Sequence, residues 1–261
     1  MFKRRAFHWA ATALIGVTAV GNCSGIIFAA DNAISTEPVA HLSPFSRSGP
    51  GEPPSPWRVV GLPNNPSKPL TQFDIAVVGG QSVLRIQTDH SYANLVHKLS
   101  PAFSGASAHL HWRWRLDQPL LRADLTHRLG DDSAVKVCAA FDLPIEKLGF
   151  VERNFLKAAR AASHEHLPAA TLCYVWDHRL PAGTVLHNAY THRIRFIVLD
   201  SGEQRLGQWV THTQDLAADF HRAFGEESAE MPPLLAILVG ADSDNTADRS
   251  LAYVADISLA P

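Results

Sequence analysis

The stretch His109-Leu110-His111-Trp112-Arg113-Trp114-Arg115-Leu116 decides the fold class. Every second residue is apolar, so an extended chain places Leu110, Trp112, Trp114 and Leu116 on one side and two histidines and two arginines on the other. A helix would scatter the same residues around its axis. The segment therefore reads as a strand with one face in a core, and so aromatic a face needs a second layer to cover it.

The same alternation continues on either side. Residues 134–141 set Val135, Val137, Ala139 and Phe141 against Lys136 and Cys138, and residues 72–78 and 83–88 flank Gly79-Gly80, a pair suited to the positive φ of a tight hairpin. Further strands are predicted at 172–176, 192–199, 208–213, 234–239 and 252–259. About ten short strands separated by turn signals predict a mostly-β protein, a jelly-roll-like antiparallel β-sandwich. Two stretches break the period. Residues 145–166 carry Leu148, Phe155, Leu156 and Ala159 at helical spacing and read as a helical insertion. Residues 215–224 read as one short extra helix, with Asp215 as N-cap and Gly225 as its stop.

Ahead of this domain the composition changes twice. Lys3, Arg4 and Arg5 precede an uncharged apolar run over residues 10–20, the layout of a cleaved export signal within residues 1–30. That run is shorter than the roughly 20 residues a membrane span needs, so no permanent span is expected. Val20-Gly21-Asn22-Cys23 only partly matches a lipid-attachment motif, because Asn22 stands where a small residue belongs, so lipid anchoring at Cys23 is the weaker reading. Residues 31–56 hold Pro38, Pro44, Pro50, Pro53, Pro54 and Pro56 among Ser and Gly and read as a linker or extended arm, leaving 57–261 as the sandwich domain. The expected compartment is the periplasm or the exterior. There, Cys138 and Cys173 are compatible with a single disulfide and equally with two buried thiols.

A formal charge of -2 on 261 residues supplies no basic field for nucleic acid, which is not expected as a partner. The chain has no Gly-x-Ser-x-Gly elbow, His-Glu-x-x-His helix, phosphate-binding loop or dinucleotide fingerprint. Two acidic turns remain. Gly130-Asp131-Asp132 precedes one strand, and Asp242-Ser243-Asp244-Asn245-Thr246 follows another. Oxygen ligands at alternating positions make Asp242, Asp244 and Asn245 a candidate calcium set, although no cofactor is required and Asp and Asn also build turns. His109-x-His111 and His164-x-His166 lack a third ligand, and solvated or structural histidine is the preferred reading of both pairs.

Trp176, Asn188, Tyr190 and Arg193 combine aromatic faces with amide and guanidinium donors, groups suited to a sugar or other small polar ligand. A polar groove is predicted in which Arg113, Arg115, Lys136 and Arg193 meet Asp131, Asp132, Asp242 and Asp244.

In chain order, Leu110-His111-Trp112-Arg113-Trp114, Gly130-Asp131-Asp132, Leu172-Cys173-Tyr174-Val175-Trp176, Ser201-Gly202, Gly207-Gln208-Trp209, Asp219-Phe220, Phe224-Gly225 and the 242–246 turn resemble the bacterial exported family catalogued as domain of unknown function 3047. The resemblance spans residues 57–259 and implies an envelope location and a β-sandwich, with no activity to carry over. A glycan-type binding module is the leading expectation. A hydrolase or lyase using the acidic turns and an envelope structural protein are the alternatives.

Overall fold

In the computed structural model, which describes residues 41–62, 65–104, 108–163 and 167–260, two β-sheets face each other across an aromatic core. The expected export signal, Cys23, the start of the Pro-rich lead and the His164/His166 pair lie outside the described residues. The strands are β1 (Arg58–Val60), β2 (Gln72–Val78), β3 (Gln81–Asp89), β4 (Tyr92–Phe103), β5 (His109–Gln118), β6 (Ser133–Phe141), β7 (Ala170–Asp177), β8 (Val185–His187), β9 (Ile194–Ser201), β10 (Val210–Asp215), β11 (Leu234–Asp242), β12 (Arg249–Val254) and β13 (Ser258–Ala260). One sheet runs β1-β4-β11-β6-β7-β9-β8, the other β10-β5-β12-β3-β2, with β13 also paired to β5.

The residues that decided the fold class behave as their alternation requires. Leu110, Trp112, Trp114 and Leu116 are buried between the sheets, where the Trp112 ring lies tilted against Tyr174 at 5.3 Å and Trp114 against Trp176 at 6.2 Å. The β2–β3 hairpin turns on Gly79 (φ 59°) and Gly80 (φ 82°), two consecutive left-handed residues that side chains with a Cβ rarely adopt. Among the described residues, pairing is antiparallel except between β7 and β9. β8 takes the sheet edge between β7 and β9 in the sequence, so β9 returns parallel to β7 and lies between the two.

Two α-helices lie among the described residues. Helix α1 (Phe150–Ser163), inserted between β6 and β7, begins later than the predicted start at residue 145, because Ile145–Lys147 forms a separate 3-10 turn. Helix α2 (Leu216–Phe224) begins where predicted, the Asp215 side chain accepting from the Ala217 and Ala218 amides at 3.0 Å each. It inserts Leu216, Phe220 and Phe224 into the sandwich, Phe220 meeting Phe141 at 5.0 Å. The described part of the Pro-rich lead lies against the domain as an arm. Phe45 is fully buried 5.1 Å from Trp57, and the Trp57 indole donates to the Ser43 carbonyl at 2.8 Å. The core thus extends ahead of the expected domain start at Trp57.

Cys138 and Cys173 sit directly opposite each other on β6 and β7 and are joined by a disulfide. All nine residues of β6 are buried, which the alternation of Val135, Val137, Ala139 and Phe141 alone does not require. The reason lies on the outer face of the seven-stranded sheet, where loops rise around a cleft.

Candidate functional site

The floor of the cleft is the outer face of β4, β11, β6, β7 and β9, and along β6 it passes from Ser133 and Lys136 to Cys138. Its volume is about 560 Å³. Near the start of β6 the lining is polar. Past Lys136 it becomes apolar, with Leu125, Phe196 and Leu238 beside the disulfide.

Lys136 reaches the cleft because its neighbours Val135 and Val137 must face the sandwich core. Its ammonium donates to Asp242 Oδ1 at 2.8 Å and lies 5.6 Å from the centre of the Tyr92 ring. The same carboxylate oxygen accepts from the Ser133 amide at 2.9 Å. Burial nevertheless pushes the Asp242 carboxyl up to about 6, because desolvation of the carboxylate outweighs the nearby ammonium. Burial also raises Asp131, which is held by the Asn188 side-chain amide at 2.5 Å. Asn188 in turn accepts from the Tyr190 and Thr191 amides at 3.0 and 3.1 Å, an Asx turn that sets the rim. The Tyr190 hydroxyl lies 2.8 Å from the Arg128 carbonyl and 3.1 Å from Asn245 Oδ1.

Asp132 joins the two acidic turns. Its carboxylate accepts from the Thr246 amide and hydroxyl at 2.7 and 2.6 Å and from the Asn245 amide at 3.2 Å. The predicted calcium set is therefore rearranged. Asp132, Asp242 and Asp244 bring carboxylate oxygens within 4.8 Å of one another, whereas Asn245 turns its amide nitrogen toward the Asp131 carbonyl and Asp132. Each of the three carboxylates already has a protein partner, Asp244 through Lys68 at 3.0 Å. Three hard oxygen donors suit calcium; of the three, Asp132 latches the two acidic turns together, Asp242 bonds β6 and Asp244 bonds Lys68.

Of the residues singled out from the sequence, Asp131, Asp132, Lys136, Asn188, Tyr190, Asp242, Asp244 and Asn245 line this one cleft. Four do not, and the predicted arginine-rich groove is corrected accordingly. Trp176 is 3% exposed, packs in the core and donates its indole N–H to the Gly202 carbonyl at 3.0 Å, so it offers no platform to a ligand. The alternation that buries Trp114 turns Arg113 and Arg115 to the outer face of the other sheet. There Arg113 bonds Gln81 at 2.9 Å and Arg115 bonds Asp117 at 2.6 Å. Arg193 is held by Glu227 at 2.7 Å.

Tyr92 and Asn94 were not anticipated, and both lie on β4. Pro101 and the polar pair His97-Lys98 blur that strand's period, although Ala93-Leu95 against Tyr92-Asn94 is a fragment of it. Asn94 donates to the Tyr92 hydroxyl at 3.1 Å. Between Asn94 and Lys136 in the sheet stands Gly240, where an added Cβ would lie 2.2 Å from Asn94 Oδ1 and 2.8 Å from Lys136 Cε. The missing side chain makes room for two polar ones.

The family model described as "Protein of unknown function (DUF3047)" matches residues 55–258. No curated protein sequence matches the chain. Among solved structures, the chain is similar to Trichoderma harzianum endoglucanase 3 from family GH12, with a TM-score of 0.39 and 10% identity over 80% of this chain and 99% of that one. It is also similar to Cip1, a cellulose induced protein, with a TM-score of 0.36 and 11% identity over 78% and 90% of the two chains. The catalytic domain of Humicola grisea Cel12A gives a TM-score of 0.35 and 12% identity over 74% and 87%.

Proposed function

We propose that this chain, which belongs to the DUF3047 family of proteins of unknown function, is an exported binding protein whose cleft takes a neutral glycan or similar polyol. The observation that carries the reading is the division of the cleft. Side-chain donors and acceptors from Lys136, Asp131, Asn188, Tyr190 and Asn94 stand at one end of an apolar floor. A sugar presents both hydroxyls and C–H faces, and a cleft of about 560 Å³ is of the size that small-ligand sites have, roughly 300–1,000 Å³. With Arg113, Arg115 and Arg193 elsewhere, four carboxylates face Lys136 and Lys68, which disfavours an anionic ligand. On this reading, with an export signal expected in residues 1–30, the proposed compartment is the periplasm or the cell exterior.

The test is a thermal-shift screen against neutral oligosaccharides, uronic-acid oligosaccharides and calcium. At a hundred times Kd a native-state ligand stabilises by about 2.7 kcal/mol, a rise of about 5–10 °C for a domain of this size. A shift with neutral sugars that Asn188→Ala and Tyr190→Ala remove supports the reading. Stabilisation by uronic-acid chains alone overturns it, as does no shift with any sugar.

One observation favours catalysis as a second reading: Asp131 and Asp242 are carboxyls raised toward neutrality in one cleft, the state a general acid requires. Turnover of a bound glycan that Asp131→Asn abolishes while binding persists would establish it. Unchanged turnover in that variant would sink it.

A further inference from the structure

Helix α1 carries its large apolar side chains on the wrong side. Leu156 is buried against the domain, but Phe150, Val151 and Phe155 are 71%, 78% and 72% exposed. Val151 and Phe155 are four residues apart and share one face with the exposed Ala158, and Phe150 stands beside that face at the start of the helix. Isolated exposed apolar residues are ordinary. Three on adjacent turns of one helix mark a surface that something covers.

The charges around the stripe indicate what covers it. Within α1, Arg153, Lys157 and Arg160 stand against Glu152, a net of +2 on a helix of a chain whose formal charge is -2. Glu152 turns toward Arg193 at 3.4 Å, and Arg160 donates to the Leu167 carbonyl. Arg153 lies 6.0 Å from the centre of the Phe150 ring and Lys157 is exposed, so cations flank the apolar stripe.

The area argues against a second copy of the chain. Two phenylalanines and a valine at this exposure offer on the order of 400 Å², about half of the 800 Å² per partner that a stable protein interface buries. A bilayer needs no complementary shape. It accepts a short apolar wedge, and a weak wedge is strengthened by cations that meet anionic headgroups.

We propose that α1 is a peripheral membrane-docking element, with Phe150, Val151 and Phe155 entering the headgroup boundary of an anionic lipid surface and Arg153 and Lys157 meeting its phosphates. The proposal is independent of the cleft and of what the cleft binds. It requires no spanning segment, and among the described residues no helix is long and apolar enough to cross a membrane.

The experiment is co-sedimentation of the full-length protein with phosphatidylglycerol-containing vesicles and with pure phosphatidylcholine vesicles. It compares the parent with Phe150→Ser/Val151→Ser/Phe155→Ser and with Arg153→Gln/Lys157→Gln. The apolar run at residues 10–20 is common to all of them, so only differences are read. The serine variant should lose more than about tenfold in binding to anionic vesicles, and the glutamine variant about fivefold per cation. Both variants should keep the parent's unfolding temperature within about 2 °C, since exposed positions contribute little to the fold. Binding unchanged in the serine variant, or equal on neutral and anionic vesicles, overturns the proposal. So does a parent dimer that the serine variant turns into a monomer, which would make the stripe a self-association surface.

Discussion

Lys136 Nζ lies 2.8 Å from Asp242 Oδ1, and each side chain is only 9% exposed. The pair ties β6 to β11 beneath the cleft, and removing one partner leaves the other charge buried alone. Lys136→Met is expected to lower stability by about 3–5 kcal/mol in denaturant unfolding. A loss below about 1 kcal/mol would mean that water reaches the pair freely.

The pair also sets a pH dependence. Asp242 is pushed up from 3.8 to about 6, so between those values the folded state holds a proton that the unfolded chain releases. Its contribution is therefore fully present below about pH 4 and is lost as the pH rises through about 6. The raised Lys136 works in the opposite range, its contribution persisting at neutral pH and fading only in strong alkali. Carboxyl-carbon NMR should show Asp242 titrating near 6, moving higher in Lys136→Met. A midpoint at or below the ordinary carboxylate value would refute the buried assignment.

Gly240 is a packing requirement rather than a turn. Gly240→Ala would place a methyl group 2.2 Å from Asn94 Oδ1, which must move together with Lys136. The expected cost is about 1–3 kcal/mol, with weakened ligand binding measured in the same sample. An alanine variant with unchanged stability and binding would show that the floor is softer than the structure describes.

The Cys138–Cys173 disulfide closes a loop over a sequence separation of 35 that contains α1. Replacing both by alanine is expected to cost about 3–4 kcal/mol, through the added freedom of the unfolded chain. The comparison is between the oxidised protein and the double variant in guanidinium. Equal midpoints would mean that the cross-strand pairing of β6 and β7 alone holds this part of the sheet.

Trp176 and Tyr190 should separate cleanly. Trp176→Ala empties a core position and is expected to cost about 3–5 kcal/mol, whatever its effect on binding. Tyr190 is 53% exposed, and Tyr190→Ala should cost about 1 kcal/mol, its lost hydrogen bond, while weakening ligand binding in calorimetry. The reverse ranking would exchange their roles.

Alternation in the sequence pointed to most of the longer strands, though not to β4 or the short β1 and β8, because a half-buried strand must repeat every two residues. From it came the sandwich, the β2–β3 hairpin and the inward tryptophans, and Asp215 and Gly225 bracketed α2 from capping chemistry alone. The acidic turns and the Asn188–Tyr190 segment were legible as candidates because Asp, Asn and Tyr are polar groups placed where the chain reverses.

Which of these candidates meet was decided only by the tertiary structure. Asp132 and Thr246 are 114 residues apart in sequence and 2.7 Å apart in space, because β11 pairs with β6. The same pairing brings Lys136 to Asp242, whereas the pairing of β5 with β10 and β12 in the other sheet puts Arg113 and Arg115 on the far side of the molecule. β4, with Tyr92 and Asn94, gained its place from two neighbouring strands rather than from its own pattern. Period two states that a residue faces away from its neighbours. Which sheet it belongs to, and what lies across from it, is set by long-range pairing that no local pattern encodes.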